Sequence, residues 1–329
     1  MKSAGYERSE GSDGAEPAPK SGIRNLLTID VEDYYQVAVF SRVVGYPRWS
    51  EYENRVEKNT LRILEILNRA DVKATFFVLG WIAEKMPNLV REIDARGHEV
   101  ASHGYRHRSI QEQTRQEFRD DVRSAKKILE EIIKKPVYGY RAPTYSIMEK
   151  TLWALNILSE EGYRYDSSIF PIRHDRYGIP AAPRMPFVTR LCQTHPTRVE
   201  DLVSARLWNC NDYGNCRIPP DGILELPPAT VRILKNNFPV AGGGYFRLLP
   251  YGFVKWGLKR INQEGNLFVF YIHPWEMDPQ QPRINGVSVF TRIRHYHNLD
   301  KTEALFLRVL SDFPFTSVLS VFPQIQETS

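Results

Sequence analysis

The sequence predicts an α/β protein built on a mostly parallel sheet or barrel. Three observations carry that prediction. Short apolar runs alternate with stretches of helical periodicity from about residue 25 to residue 166. Several of those runs end abruptly in titratable residues, as parallel strands do where they open into a site. The chain has 329 residues, 42% hydrophobic and 25% charged, which suits one large α/β barrel or two domains.

Residues 1–24 are polar, rich in Gly, Ser, Glu and Pro, and read as a disordered tail without the apolar core of a signal peptide. Leu26 to Ile29 opens a buried strand that runs straight into Asp30, Glu32 and Asp33. On a continuing strand Asp30 and Glu32 share one side and Asp33 takes the other. Three like charges this close repel, a cost that a cation or a shared proton relieves. Residues 55–70 place Val56, Ile63, Leu64, Ile66 and Leu67 at helical spacing. Residues 74–79 form a buried strand, 81–96 a helix closed by Gly97, and 99–102 the next strand. A long amphipathic helix over 116–133 stops before Pro136. Residues 138–141 (strand), 149–161 (helix, ended by Gly162) and 163–166 (strand) complete the alternation.

Residues 171–244 break the rhythm. They are rich in Pro, Gly, Asn and Arg, with an antiparallel excursion near 223–226, and read as a long insertion at the barrel mouth. Gly242-Gly243-Gly244 fits a tight turn, with a cradle for an anion as the alternative. Regular structure resumes with a strand at 267–272, a helix at 301–311 and a last strand at 316–321. The main domain spans 25–321, a C-terminal extension occupies about 277–321, and 322–329 is a tail.

The most informative stretch is Ala101-Ser-His103-Gly-Tyr-Arg-His107-Arg108. Were the chain helical there, His103 and His107 would share a face. Two imidazoles on one face can hold a single divalent ion, while the plain alternative is two unrelated histidines. His273 closes the apolar run 267–272. Arg141 precedes Ala142-Pro143, whose backbone is biased to extended geometry, so Arg141 also stands at a strand end.

With these segments in place, the chain resembles the NodB-type polysaccharide deacetylases (carbohydrate esterase family four) from about Asn25 to the last strand. The resemblance is nearest to the subfamily that accompanies exopolysaccharide synthesis loci. It is carried by Thr28-Ile-Asp-Val-Glu-Asp33, Ala74-Thr-Phe-Phe-Val-Leu-Gly80, Gly97-His-Glu-Val-Ala-Ser-His103, Gly139-Tyr-Arg-Ala-Pro143, Tyr165-Asp-Ser-Ser-Ile-Phe-Pro171, Gly242-Gly-Gly-Tyr-Phe-Arg247 and Tyr271-Ile-His-Pro-Trp-Glu276. It implies a distorted (β/α) barrel and a divalent metal cofactor, zinc first. It implies Asp30 as base, Glu32, His103 and His107 as metal ligands, with Asp33 the alternative carboxylate. It further implies Arg141 orienting the base, a backbone oxyanion donor at Tyr145, and His273 as general acid. The family's tryptophan-bearing fourth motif has no clean match, and Asp166 lies in its region. Among the aromatics, which make up 12% of the chain, Trp275 and Tyr105 are the expected substrate contacts.

The implied activity is metal-dependent hydrolysis of N-acetyl groups from N-acetylhexosamine units of a bacterial exopolysaccharide or its precursor. An O-acetyl esterase, another amidohydrolase, or an inactive glycan-binding module on the same scaffold are the alternatives. The expected partner is a carbohydrate, with association with the exopolysaccharide synthesis machinery as a further expectation. Net charge is +5, with Lys126-Lys127 and Lys134-Lys135 on a helix face. A solvated face explains them, and attraction to acidic glycans or lipid headgroups is the lesser reading. No basic run with interleaved aromatics suits nucleic acid, and no run is long enough to span a bilayer. Cys192, Cys210 and Cys216 have no metal-like spacing and fit a reducing compartment. The expected location is cytoplasmic, with the membrane periphery as the alternative.

Overall fold

The computed structural model describes residues 22–190, 198–201, 203–206, 213 and 216–327. Elements follow in chain order: β1 Asn25–Val31, α1 Val56–Arg69, β2 Thr75–Val78, α2 Gly80–Lys85, α3 Pro87–Ala95, β3 Glu99–Ser102, α4 Arg115–Ile133, β4 Gly139–Tyr140, α5 Trp153–Glu160 and β5 Tyr165–Asp166. Then come β6 Phe187–Arg190, β7 Val203–Arg206, β8 Gly222–Glu225, β9 Thr230–Ile233, β10 Asn236–Pro239, α6 Gly243–Leu248, α7 Tyr251–Gln263 and β11 Val269–Ile272. The chain closes with α8 Val289–Tyr296, α9 Leu299–Asp312, β12 Phe315–Thr316, α10 Val318–Val321 and α11 Gln324–Glu327.

The fold is α/β, as expected. One curled sheet runs in the order β11-β1-β2-β3-β4-β5-β8-β6-β7, and every pair from β11 to β8 is parallel. Parallel bridges from Pro228 and Gly242 to β11 carry the curl around toward closure. All the strand ends that matter therefore open on one face.

Strand alternation sorts the side chains into layers. Leu27, Ile29 and Val31 pack outward against helices, while Leu26, Phe77, Ala101, Tyr165, Leu224 and Val269 fill the barrel interior. Thr28, Asp30 and Glu32 continue the inward set toward the mouth, so polar groups lie on an apolar plug.

Several elements differ from expectation for local reasons. The helix over 81–96 is two helices, broken where Pro87 starts α3. α4 begins on a reciprocal cap, with the Thr114 hydroxyl accepting from the Glu117 N–H and the Glu117 carboxylate accepting from the Thr114 N–H. The excursion near 223–226 is not peripheral: β8 pairs parallel with β5 and antiparallel with β6, so the insertion supplies a barrel strand. The last strand shortens to β12 and gives way to α10. The stretch 322–327 is no free tail: Phe322 and Ile325 are fully buried and, with Val318, cork the barrel floor. There the Val318 N–H donates to Thr75 Oγ1 and the Leu319 N–H to Glu99 Oε2. Residues 1–21, Cys192 and Cys210 lie outside the described residues, and Cys216 is a buried free thiol.

Candidate active site

All of the site's groups but His107 arrive at the carboxyl end of a parallel strand. β1 delivers Asp30 and then Glu32, the residue after β3 is His103, the residue after β4 is Arg141, and the residue after β11 is His273.

The histidine pair meets without the helix that its i, i+4 spacing allowed. Residues 103–109 are a loop, not a helix, and both Gly104 (φ 72°) and His107 (φ 50°) adopt left-handed backbone. The turn brings the two rings to 5.1 Å between centroids. Gly104 is required twice over: its φ suits glycine, and a Cβ there would lie 2.8 Å from Asp121 Oδ2. That Asp121 oxygen accepts the Tyr105 N–H at 2.8 Å and holds the loop.

Glu32, His103 and His107 each present one ligand atom, all within 4.8 Å of one another. The His103 Nδ1 lies 2.8 Å from the Arg141 carbonyl, which can only accept, so Nδ1 carries the proton and Nε2 faces the site with its lone pair. Burial first, against the pull of Asp30, holds His103 down to about 4, keeping the ring neutral. Glu32 Oε2 lies 2.7 Å from His107 Nε2, yet this buried oxygen has no hydrogen-bond donor. Burial alone would raise the Glu32 carboxyl, but His107 foremost, with His273 and His103, holds it well below the usual carboxylate range. Two imidazoles and one ionised carboxylate, converging with an orphaned oxygen among them, fit a divalent cation of the zinc type.

Asp30 is 2% exposed and Arg141 fully buried. Arg141 Nη1 donates to Asp30 Oδ1 at 2.6 Å and to Thr28 Oγ1 at 2.8 Å, while Nε and Nη2 donate to the Ser167 carbonyl and hydroxyl. The guanidinium is thereby immobilised, and Asp30 Oδ2 is left facing the cavity. His273 Nε2 lies 3.8 Å from that oxygen and 3.6 Å from Glu32 Oε1.

Behind His273 stands an ion chain to which the sequence reading assigned no role. His273 Nδ1 and its backbone N–H both lie 3.0 Å from Glu276 Oε2, and Arg247 Nε donates to Glu276 Oε1 at 2.7 Å. Arg247 also donates to the His295 and His297 carbonyls. Burial acts against protonating His273, but Glu276 above all, then Glu32 and Asp30, push it up to about 9. Burial likewise opposes ionisation of Glu276, yet Arg247 and His273 bring it down to about 2.

The remaining expected residues fall in different places. Asp33 turns away from the cluster: its oxygens accept the N–H groups of Tyr34, Arg55 and Val56, which ties β1 to the start of α1. Trp275 lines the cavity but is only 5% exposed. It stacks between His273 and His295, and its indole N–H donates to Glu32 Oε1 at 3.1 Å, so it orients a carboxylate rather than offering a sugar platform. Tyr105 does not line the cavity; its hydroxyl donates to Glu84. Tyr145 follows Thr144 in two successive left-handed residues, and its N–H donates to the Ala142 carbonyl at 3.0 Å. Asp166 lies at the end of β5, beside Glu225 of β8 in register, and is fully buried.

The cavity over these groups measures about 160 Å3. Its floor carries the titratable residues, and its rim is built by Arg176 and Tyr177 from the insertion, Tyr245 from α6, and Thr291 and Arg294 from α8. Nothing in local sequence could reveal Glu276–Arg247, because the pair spans 29 positions and shows no periodicity. The only signal was that both residues end stretches already marked by the resemblance.

Residues 49–165 match the polysaccharide deacetylase family model, and residues 212–323 match a domain of unknown function, DUF3473. The first match contains His103, His107 and Arg141 but neither Asp30 nor His273. Over 96 residues the chain is 36% identical to a peptidoglycan-N-acetylglucosamine deacetylase of Bacillus cereus, covering 29% of this chain and 35% of that one. Over 106 residues it is 31% identical to a chitooligosaccharide deacetylase of Azorhizobium caulinodans, covering 32% and 49%. The chain thus spans a third to a half of the length of these curated relatives. A crystal structure from Mycobacterium smegmatis, assigned by name to the polysaccharide deacetylases, superposes with a TM-score of 0.55 at 16% identity, covering 98% of this chain and 96% of that one. At that identity the likeness speaks for the fold.

Proposed function

We propose that this chain, whose residues 49–165 match the polysaccharide deacetylases, is a metal-dependent hydrolase that removes N-acetyl groups from N-acetylhexosamine units of a bacterial exopolysaccharide or its precursor. The observation that carries the reading is the convergence of Glu32, His103 and His107 with the Asp30–Arg141 pair and His273 in one cavity. The names of the two relatives support N-acetylated glycans as substrates. The exopolysaccharide rests on the likeness of the motif stretches from Thr28 to Glu276.

Glu32, His103 and His107 would hold the divalent ion, zinc by donor type, and the backbone N–H groups that Asp33 accepts speak for Glu32 over Asp33. Bound there, the ion supplies Lewis acidity for the acetamide carbonyl and for a water. Asp30 uses the oxygen that Arg141 leaves open to take a proton from the attacking water. Arg141, locked by Thr28 and Ser167, keeps Asp30 aimed as it does so. His273, clamped at Nδ1 by Glu276, presents Nε2–H to the departing amine, which must be protonated to leave. The Tyr145 N–H would share its bond to Ala142 with the oxyanion in a three-centre arrangement.

Acetate release from N-acetylated and O-acetylated oligosaccharides, measured side by side, tests the reaction. The reading predicts release from the N-acetylated substrate. Release from the O-acetylated substrate alone would replace it with an esterase, and sugar binding without any release would replace it with a binding module.

A further inference from the structure

The outer face of α8 has no use in the chemistry above. Its inner residues Thr291, Arg294 and His295 line the cavity. Its outer residues Val289, Phe290 and Ile293 are 68%, 85% and 55% exposed. Val289 and Ile293 stand one turn apart with Phe290 beside them, so the three form one apolar ridge at the rim of the site. Three large apolar side chains on eight residues of surface helix are more than scattered exposure accounts for.

The charge along this segment of the chain has one sign. Between Asp278 and Asp300 there is no acidic residue, while Arg283, Arg292 and Arg294 fall within that span. Arg283 packs over the Tyr296 ring and Arg294 reaches His174 Nε2 at 3.5 Å; neither they nor Arg292 pairs with a carboxylate among the described residues. Asp175, the acid beside His174, is turned onto that ring's Nδ1. Arg176, whose backbone N–H donates to His174 Nδ1, adds a further cation at the cavity. An apolar ridge flanked by unpaired arginines is the pattern of a helix that lies in the headgroup layer of an anionic bilayer. No helix among the described residues is long and apolar enough to cross a membrane, so contact of this kind would be peripheral.

We propose that α8 docks the mouth of the cavity onto an anionic lipid surface, with Val289, Phe290 and Ile293 entering the interface and Arg283 and Arg292 meeting the headgroups. The docking sets the open rim against the membrane, where a lipid-borne glycan would be within reach. The proposal stands on the surface of α8 and needs no turnover.

Cosedimentation of the full chain with vesicles of phosphatidylglycerol and phosphatidylcholine, against vesicles of phosphatidylcholine alone, tests it. The wild type should partition to the anionic vesicles and be released by high salt. Val289→Asp with Phe290→Asp should lower that partition about tenfold or more, and Arg292→Ala about fivefold, with circular dichroism unchanged. Absence of wild-type binding, equal binding to both vesicle types, or partition untouched by the double substitution would overturn the proposal. A dimer that the double substitution dissolves, with no vesicle binding, would assign the ridge to a second copy and overturn it as well. Because binding is read without substrate, failure here leaves the proposed hydrolysis standing.

Discussion

Glu276 does not line the cavity, yet it acts on His273, which does. It fixes the His273 ring through Nδ1 and is the largest influence raising that imidazole to about 9. A proton donor works below its pKa, so activity should fall on the alkaline side as His273 loses its proton. Glu276→Gln keeps the volume and removes the charge. The alkaline limb of kcat/KM should move to lower pH, and Arg247 is left buried without its counter-charge, which lowers the melting temperature. An alkaline limb that stays put would remove His273 from the role of acid. Asp30→Asn tests the other proton: acetate release should fall by about 100- to 10,000-fold while metal content is kept. Trp275→Phe removes the indole donor to Glu32 and should weaken metal binding about 10- to 100-fold, measured by competition with a chelator.

At the scale of elements, the legible part of the site is the part that strand ends dictate. Asp30, Arg141 and His273 each follow an apolar run, and parallel pairing sends all three to one face. The histidine pair was legible as a pair but not as a shape: its spacing allowed a helix, whereas a loop turned by Gly104 and anchored by Asp121 delivers it. Asp33 stood as the alternative ligand because sequence shows charge density, not the backbone N–H groups waiting at the start of α1. Pairing of β5 with β8 was hidden too, since more than fifty residues separate them, and it creates a buried acid pair. Burial pushes Asp166 from 3.8 to about 6, and burial with the neighbouring Asp166 pushes Glu225 well above its ordinary value. An acid with a raised native pKa holds its proton more tightly folded than unfolded. Its contribution is full below about pH 4 and is lost as pH climbs through about 6. Glu225→Gln removes one of the two charges and keeps a polar group at the site. Its melting temperature should therefore decline less than that of the wild type on going from acid to mildly alkaline buffer. A parallel decline in both proteins would contradict this account of the buried acid pair.

The whole molecule is a barrel with a chemical end and a corked end. The cork comes from the C-terminal residues, where Phe322 and Ile325 reach zero exposure against Leu26 and Val318. Phe322→Ala should cost about 3–5 kcal/mol of stability with little change in the mouth, read as a drop in urea midpoint and an unchanged KM. Loss of substrate affinity equal to the loss of stability would show that floor and mouth are coupled. The α/β class was open to sequence reading because helical and strand periodicities alternate plainly up to Asp166. Beyond it, the insertion and the extension supply β8, the rim and the cork through contacts that only tertiary structure defines.

The central claim is that Glu32, His103 and His107 hold a metal on which hydrolysis depends. Acetate release from an N-acetylated oligosaccharide, followed through removal of metal by a chelator and its return as zinc, tests it most directly. The account predicts that release disappears with the metal, that zinc restores it in the wild type, and that zinc fails to restore it in His103→Ala. Release that survives chelation, or a His103→Ala protein that recovers as the wild type does, would contradict it.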